Sequence, residues 1–327
     1  MTSKHHITLI ATGGTIASRH GSDGVSVPVL AAAHLLDGHE GVPPGIDITV
    51  HELMNNDSAC LTLADMEDIR TAVASALLSP DIDAVVVLHG TDTMEETAFL
   101  VDLHHDDDRP VVFTGAQRTA DHQDPDGPGN LTAALTAAVD PANRRRGVLI
   151  AFGGALMPAR GTYKAHTREL DAFRRWPDDD PVTRHVLPWN TLSDTRVDIV
   201  ALYPGADGTH IDASVSAHAH GLVLTALGSG NTNPTVVDAV RRACQAGVIV
   251  VVSSRVPEGP LTPSYGGGGG GHDLQTAGAI PAHTLRAAQA RVLLTALIAA
   301  HSTVPEIEDA FADPRRLMTS TGLSLES

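Results

Sequence analysis

Short apolar runs rich in Val, Ile and Leu alternate with stretches in which apolar residues recur every three or four positions. The near-continuous runs cover residues 6–11, 46–53, 84–89, 111–114 and 148–152, and later 221–225 and 248–253. Runs of this length predict strands of a parallel sheet buried on both faces. Helical spacing covers residues 62–78, 94–102 and 130–139, with Thr62 placed to cap the first and acids in its first turns. The βαβα order predicts a doubly wound α/β architecture, in which ligands sit beyond the carboxyl ends of the strands.

Between about residues 177 and 217 the pattern loosens, with Pro177, Pro181, Pro188 and Pro204 and few sustained apolar runs. A fresh strand, helix, strand pattern follows from Gly221. This predicts an N-terminal catalytic α/β domain over residues 1–185, a linker over 186–217 and a C-terminal α/β domain over 218–327. Residues 281–300 and 304–311 read as two closing helices, and the glycine run 266–271 as a mobile or tightly turning loop.

Size and charge narrow the function classes. A chain of 327 residues exceeds the usual extent of one hydrophobic core, which agrees with two domains or one large one. Its 22 Lys and Arg stand against 39 Asp and Glu, a net charge of -17 that disfavours nucleic acid as a partner. Cys60 and Cys244 are the two cysteines, with no close Cys or His pair for a structural zinc site, so no metal is expected and a reducing, cytoplasmic compartment is compatible. The apolar run at residues 7–11 is too short for a signal-peptide core, and nothing approaches a membrane-spanning length.

Candidate chemistry gathers at strand exits. The first predicted strand runs into Thr12-Gly13-Gly14-Thr15, where two glycines permit a sharp turn and a hydroxyl follows. The stretch lacks both the G-x-x-x-x-G-K of a phosphate loop and the third glycine of a dinucleotide fingerprint, so it reads as neither. Thr15 there is either a nucleophile or a turn hydroxyl. The third strand runs into Gly90-Thr91-Asp92-Thr93, where Asp92 or Thr93 either caps the following helix or joins Thr91 and Thr15 at one sheet edge. Lys4 and Lys164 are the only lysines, and an amine can lose a proton where a guanidinium effectively does not. A threonine, a lysine and an aspartate at one site would supply a hydroxyl nucleophile or water activator, a proton acceptor and an orienting carboxylate.

Further stretches make the pattern specific: Gly115-Ala116-Gln117-Arg118, Asp126-Gly127-Pro128-Gly129-Asn130-Leu131, Arg146-Gly147-Val148 and Ser253-Ser254-Arg255-Val256-Pro257. With residues 11–17 and 89–97 they resemble the bacterial-type L-asparaginase family, in order and over almost the whole chain. The resemblance implies a larger N-terminal and a smaller C-terminal α/β domain in a homo-oligomer, dimer or tetramer. It implies hydrolysis of L-asparagine without a cofactor, with Thr15 forming the acyl-enzyme and Thr91, Lys164 and Asp92 handling protons. Asp92 would also hold the substrate's ammonium, Ser58 its carboxylate, and backbone groups around Gly14, Gly90, Thr91 and Ala116 its reacting amide. Asn231 would reach a neighbouring subunit's site.

The sequence departs from the family pattern in three places. The lid, residues 18–28, has no tyrosine to activate Thr15, and Tyr265 beside the glycine run is the alternative, or else a packing residue. Ala59 stands where relatives often carry a substrate-contacting Gln or Ser, and the glycine run replaces an acidic position. Two rival readings accompany these departures. One is the asparaginase-like subunit of a tRNA-dependent amidotransferase, disfavoured by the early first motif and the acidic charge. The other is a non-catalytic amino-acid sensor, disfavoured by two hydroxyls and a lysine that binding alone does not need.

Overall fold

The structure, a computed structural model, describes residues 4–20, 26–28, 42–178 and 186–312. The chain divides into two compact units, residues 1–175 and 176–327.

The first unit is built on a six-stranded sheet. Its strands are β1 (His5–Gly13), β4 (Ile46–Asn56), β5 (Ala84–Leu88), β6 (Val111–Thr114), β7 (Val148–Phe152) and β8 (Ala155–Pro158), in the spatial order β4-β1-β5-β6-β7-β8. The first five run parallel and β8 is antiparallel to β7. β5, β6 and β7 are buried at every residue, as their unbroken Val, Ile, Leu and Phe runs dictate. β4 departs from that expectation. It forms the sheet edge and alternates between half-buried and exposed, because only one of its faces is covered. A short antiparallel pair, β2 (Ser18–His20) with β3 (Ser26–Pro28), follows β1 at the predicted lid.

Helices α1 (Leu63–Leu77), α2 (Met94–Asp102) and α3 (Gly127–Val139) make the crossovers. Alternation along β1 sends Ile10 to a core with Ile69, Val73 and Val101, and Leu9 to the opposite core with Leu131 and Leu135. α1 opens on the expected Thr62 cap, which with Asp65 forms a capping box. α3 opens three residues before the predicted start, with Pro128 in its first turn, where a missing N–H leaves no bond unmade.

β8 escapes the periodicity argument because it is a four-residue edge strand, but Gly153-Gly154 between two apolar runs is a hairpin signal. Both glycines take positive φ, +57° and +80°, as a two-residue turn matching strand twist requires. Beyond β8 comes a second hairpin, β9 (Thr162–Lys164) with β10 (Phe173–Arg175), whose Phe173 ring packs edge-on against Phe152 of β7 at 5.1 Å.

The second unit is a four-stranded parallel sheet in the order β11 (Val197–Ala201), β12 (Gly221–Ala226), β13 (Ile249–Ser254), β14 (Ile280–Pro281). The segment read as a linker, 186–217, is therefore corrected: it contains β11 and helix α4 (Thr209–Ser216). β11 alternates in burial at the edge of its sheet and so offers no continuous apolar run. α5 (Pro234–Gln245) is capped by Asn233, whose side chain accepts the Val236 N–H. The first closing helix begins later than read, as α7 (Ala287–Ala299), because residues 280–281 pair with β13 as β14. The second, α8 (Val304–Phe311), lies where the pattern placed it. The glycine run is a tight turn. Gly268 and Gly270 donate N–H bonds to Asp273 of α6 (Gly271–Thr276), at 2.8 and 2.9 Å, and Gly269 accepts one from Thr232.

Candidate active site

After β1 the chain moves to one side of that strand, to β4, and after β4 it returns to the other side, to β5. The carboxyl ends of β1 and β5 therefore flank the point where strand order reverses, the place where open α/β sheets form a ligand crevice. Two glycines close the gap between the two exits. Gly14 takes φ +84°, and a Cβ on it would fall 2.5 Å from the Gly90 Cα. A Cβ on Gly90 would in turn fall 2.5 Å from Ser58 Oγ. No side chain larger than hydrogen fits at either position, so Thr15 and Thr91, each one residue further on, are carried by touching backbone.

Thr15 opens a single 3-10 turn, residues Thr15–Ala17, and is half-buried. Ile16 is buried beside Gly127, where a Cβ would come within 2.8 Å of it, and this contact anchors the turn against α3. Ala116 is buried in the same cluster, at the exit of β6.

The β5 exit carries a charged network. Lys164 Nζ donates to Thr91 Oγ1 at 2.8 Å and to Asp92 Oδ1 at 2.7 Å. The Thr91 hydroxyl accepts from Lys164 and donates onward to Gln117 Oε1 at 3.2 Å. Gln117 Nε2 in turn donates to the Glu169 carbonyl at 3.2 Å. Thr91 is buried and the Lys164 side chain is only 16% exposed, whereas the Asp92 carboxylate is 57% exposed. One carboxylate oxygen is thus tied to the ammonium while much of the group faces outward, a suitable arrangement for receiving a cationic ligand.

The helix-cap alternative fails for this loop. Thr93 is the residue before α2 but makes no side-chain cap, and its hydroxyl donates to the Ser58 carbonyl at 2.9 Å. Ser58, buried on its own 3-10 turn, accepts the Asp92 N–H through Oγ at 3.2 Å. Ser58, Asp92 and Thr93 therefore form one unit in which a hydroxyl, a carboxylate and backbone are locked together.

Sequence reasoning missed several supporting residues. Asp126 accepts the backbone N–H groups of Gln117 and Arg118, at 3.0 and 2.9 Å, and so shapes the β6 exit. Asn130 bonds the Gly115 carbonyl and the Gly153 N–H, tying that exit to the β7–β8 turn. Both lie in a quoted motif, yet composition and spacing offer no sign of partners this distant in sequence. Glu95, in the first turn of α2, accepts the backbone N–H of Lys164. Burial pushes its carboxyl up to about 7 against the opposing pull of that bond. His89 is fully buried before Gly90, with Nδ1 2.7 Å from the Gly90 carbonyl, and burial holds its imidazole down at about 4, hence neutral.

Two predicted residues, Asn231 and Tyr265, belong to the second unit. Asn231 accepts the Gly271 N–H through Oδ1 at 3.2 Å, and Tyr265 is 62% exposed while its carbonyl accepts the His272 N–H. Among the described residues no group of three or more His, Cys, Asp or Glu is placed to hold a metal, and no helix is long and apolar enough to cross a membrane.

Residues 6–186 match the family model described as asparaginase, N-terminal, and residues 196–311 that of the glutaminase/asparaginase C-terminal domain. A probable L-asparaginase of Deinococcus radiodurans is 38% identical, covering 93% of this chain and 96% of its own length. An L-asparaginase of Bacillus licheniformis is 30% identical over 90% and 96%. The crystal structure of a probable cytoplasmic L-asparaginase from Campylobacter jejuni superposes with a TM-score of 0.85 at 28% identity, covering 94% of this chain and 99% of that one. Two matched domain models in order, close relatives along nearly the full length and a hydroxyl, amine and carboxylate network at the switch point identify the chain as a member of the asparaginase family of amidohydrolases.

Proposed function

We propose that the enzyme hydrolyses the side-chain amide of L-asparagine to L-aspartate and ammonia, with Thr15 as nucleophile and glutamine as at most a minor substrate. The observation that carries this reading is the ammonium of Lys164 held between Thr91 Oγ1 and Asp92 Oδ1, at the sheet edge where Gly14 and Gly90 touch.

The α-ammonium of the substrate meets the exposed Asp92 carboxylate, and the α-carboxylate meets Ser58. Thr15 Oγ adds to the amide carbon while its proton passes, by way of a bound water or Tyr265, toward the departing nitrogen. Backbone N–H groups around Gly14, Thr91 and Ala116 stabilise the oxyanion, where one well-placed donor contributes on the order of a hundredfold to a thousandfold in rate. The C–N bond breaks, ammonia leaves, and an aspartyl ester of Thr15 remains. Water then adds to the ester carbon and L-aspartate leaves as the proton returns to Thr15 Oγ.

Thr91 acts in the second step by taking a proton from the attacking water as its own hydroxyl proton passes to Lys164. Its hydroxyl hydrogen points to Gln117 in the resting network, so the relay requires that bond to break and Lys164 first to pass a proton to the Asp92 carboxylate beside it. Lys164 and Asp92 set the polarity of that relay. The protein works as a homo-oligomer, dimer or tetramer, in the cytoplasm, with Asn231 contributing from a neighbouring copy.

Ammonia release from L-asparagine and from L-glutamine by the purified chain, without added metal or nucleotide, tests the reading. Release from asparagine at least about tenfold faster than from glutamine is expected, since a pocket tuned for one methylene discriminates by about 1 to 3 kcal/mol. A folded protein that binds L-aspartate and releases ammonia from neither amide would remove the enzymatic reading in favour of a sensor.

A further inference from the structure

Helix α2 begins two residues after Asp92, and one of its stripes faces the hairpin that carries Lys164. Glu95, Phe99 and Asp102 stand at i, i+4 and i+7, on one side of the helix. Glu95 Oε2 accepts the backbone N–H of Lys164. The Phe99 ring lies under the guanidinium of Arg160, whose carbon is 5.6 Å from the ring centroid. Asp102 accepts the N–H of Val148 at 2.9 Å, at the start of β7. Phe99 and Asp102 are buried and Glu95 is half-buried. The helix thus touches the 148–164 segment at its beginning, at the turn before β9 and at Lys164 itself.

We propose that Glu95 is a positioning residue for Lys164, and that through it α2 fixes the amine at hydrogen-bonding distance from both Thr91 and Asp92. The proposal rests on the assignment of Lys164 to the proton relay. The geometry supports it from both ends. Glu95 is three residues from Asp92 and four from Thr91, so the helix start that orients these two groups also holds the strand that presents the amine. Lys164 ends β9, and beyond the hairpin pairing with Phe173 its backbone N–H is secured by this carboxyl. A four-carbon side chain with free torsions does not hold two hydrogen bonds of 2.7 and 2.8 Å unless its Cα is fixed. A hydrophobic residue would fill the same volume without accepting the N–H. Burial opposes the ionisation of this carboxyl and the neighbouring Glu96 adds to that opposition, with the Lys164 ammonium and N–H acting the other way. Its place in the first turn of α2, where the helix dipole favours negative charge, offsets part of that cost.

Lys4 and Lys164 being the only lysines, the position of the Lys164 amine can be read chemically. Trace acetylation of the full-length protein with acetic anhydride at pH 9, with peptide mass spectrometry, gives the Lys164 to Lys4 labelling ratio. In Glu95→Ala the amine leaves Thr91 and Asp92, and the ratio is expected to rise about fivefold. Its kcat for asparagine falls by at least about tenfold with KM changing by less than about threefold, since misplacement by an ångström costs up to about a hundredfold. Glu95→Gln keeps a carbonyl acceptor for the N–H and returns both readouts to within about threefold of the parent. Glu95→Asp, which withdraws the acceptor by one methylene, makes the same comparison if the alanine variant does not fold.

An unchanged labelling ratio in folded Glu95→Ala or Glu95→Asp would overturn the proposal. So would a glutamine variant as impaired as the alanine. The labelling ratio does not depend on turnover. A parent protein that releases no ammonia would therefore sink the asparaginase reading while the ratio still reports whether Glu95 holds the amine.

Discussion

Each unit of this protein is built on parallel strands with hydroxyl side chains at their carboxyl edge, but not all of these hydroxyls are used alike. In the second unit Ser253 donates to the Leu285 carbonyl at 2.9 Å and Ser254 to the Gly228 carbonyl at 2.6 Å. In the first unit Thr12 and Thr114 do the same, to Leu88 and Ala151. Thr91 alone among these meets an ammonium and, through it, a carboxylate. A hydroxyl at a strand exit is therefore no sign of chemistry in itself. The sign is a hydroxyl whose partners are ionisable side chains supplied from another part of the fold.

This contrast can be broken by mutation. Lys164→Met and Thr91→Val are expected to lower kcat on the order of a hundredfold to ten-thousandfold, the range general acid–base groups supply, while circular dichroism and melting stay near those of the parent. Ser253→Ala and Ser254→Ala are expected to keep kcat within about threefold and to lower unfolding free energy by about 1 kcal/mol each, as lost hydrogen bonds to backbone do. Denaturant titration and steady-state ammonia release read both pairs. Equal kinetic losses in the two pairs would mean that the distinction between structural and chemical hydroxyls is wrong.

Glu95 sharpens the same contrast with a smaller effect. Its folded carboxyl, raised by burial to about 7 from the ordinary 4.5, binds its proton more tightly than the unfolded chain does. The stability this confers is full below about pH 4.5 and is lost as pH rises through about 7. Glu95→Gln lacks that loss, so it should gain roughly 1 to 3 kcal/mol over the parent at pH 8 relative to the difference at pH 5. Melting temperatures at the two pH values measure this. A difference independent of pH would show that the Glu95 carboxyl is not the buried, reluctant acid described.

Much of the fold was legible because burial writes itself into hydrophobic runs. β5, β6 and β7 lie where continuous Val, Ile, Leu and Phe placed them, and α1 carries the Thr62 cap. β8, β11 and β14 were not legible: each is short or at an edge, where one covered face leaves too few apolar positions to count. The candidate site divides in the same way. Thr15, Thr91 and Asp92 follow strand exits, which patterning locates, and Lys164 is conspicuous by the rarity of lysine. That Lys164 meets Thr91 and Asp92 is a long-range fact, since the hairpin bearing it lies more than 70 residues further along the chain. Gln117, Asp126, Asn130 and Glu95 lie inside the quoted motifs, but periodicity and composition do not announce the partners they meet. The lid residues 21–25 lie outside the described residues.

The most direct test of Thr15 as nucleophile is acid quenching of the enzyme during steady-state turnover of L-asparagine, followed by mass spectrometry of the peptide that contains it. The expected result is an aspartyl ester on Thr15 that is absent from Thr15→Ala, a variant that still binds L-aspartate but no longer releases ammonia. An ester on Thr91 instead, or a Thr15→Ala protein that turns over asparagine at the parent rate, would contradict it.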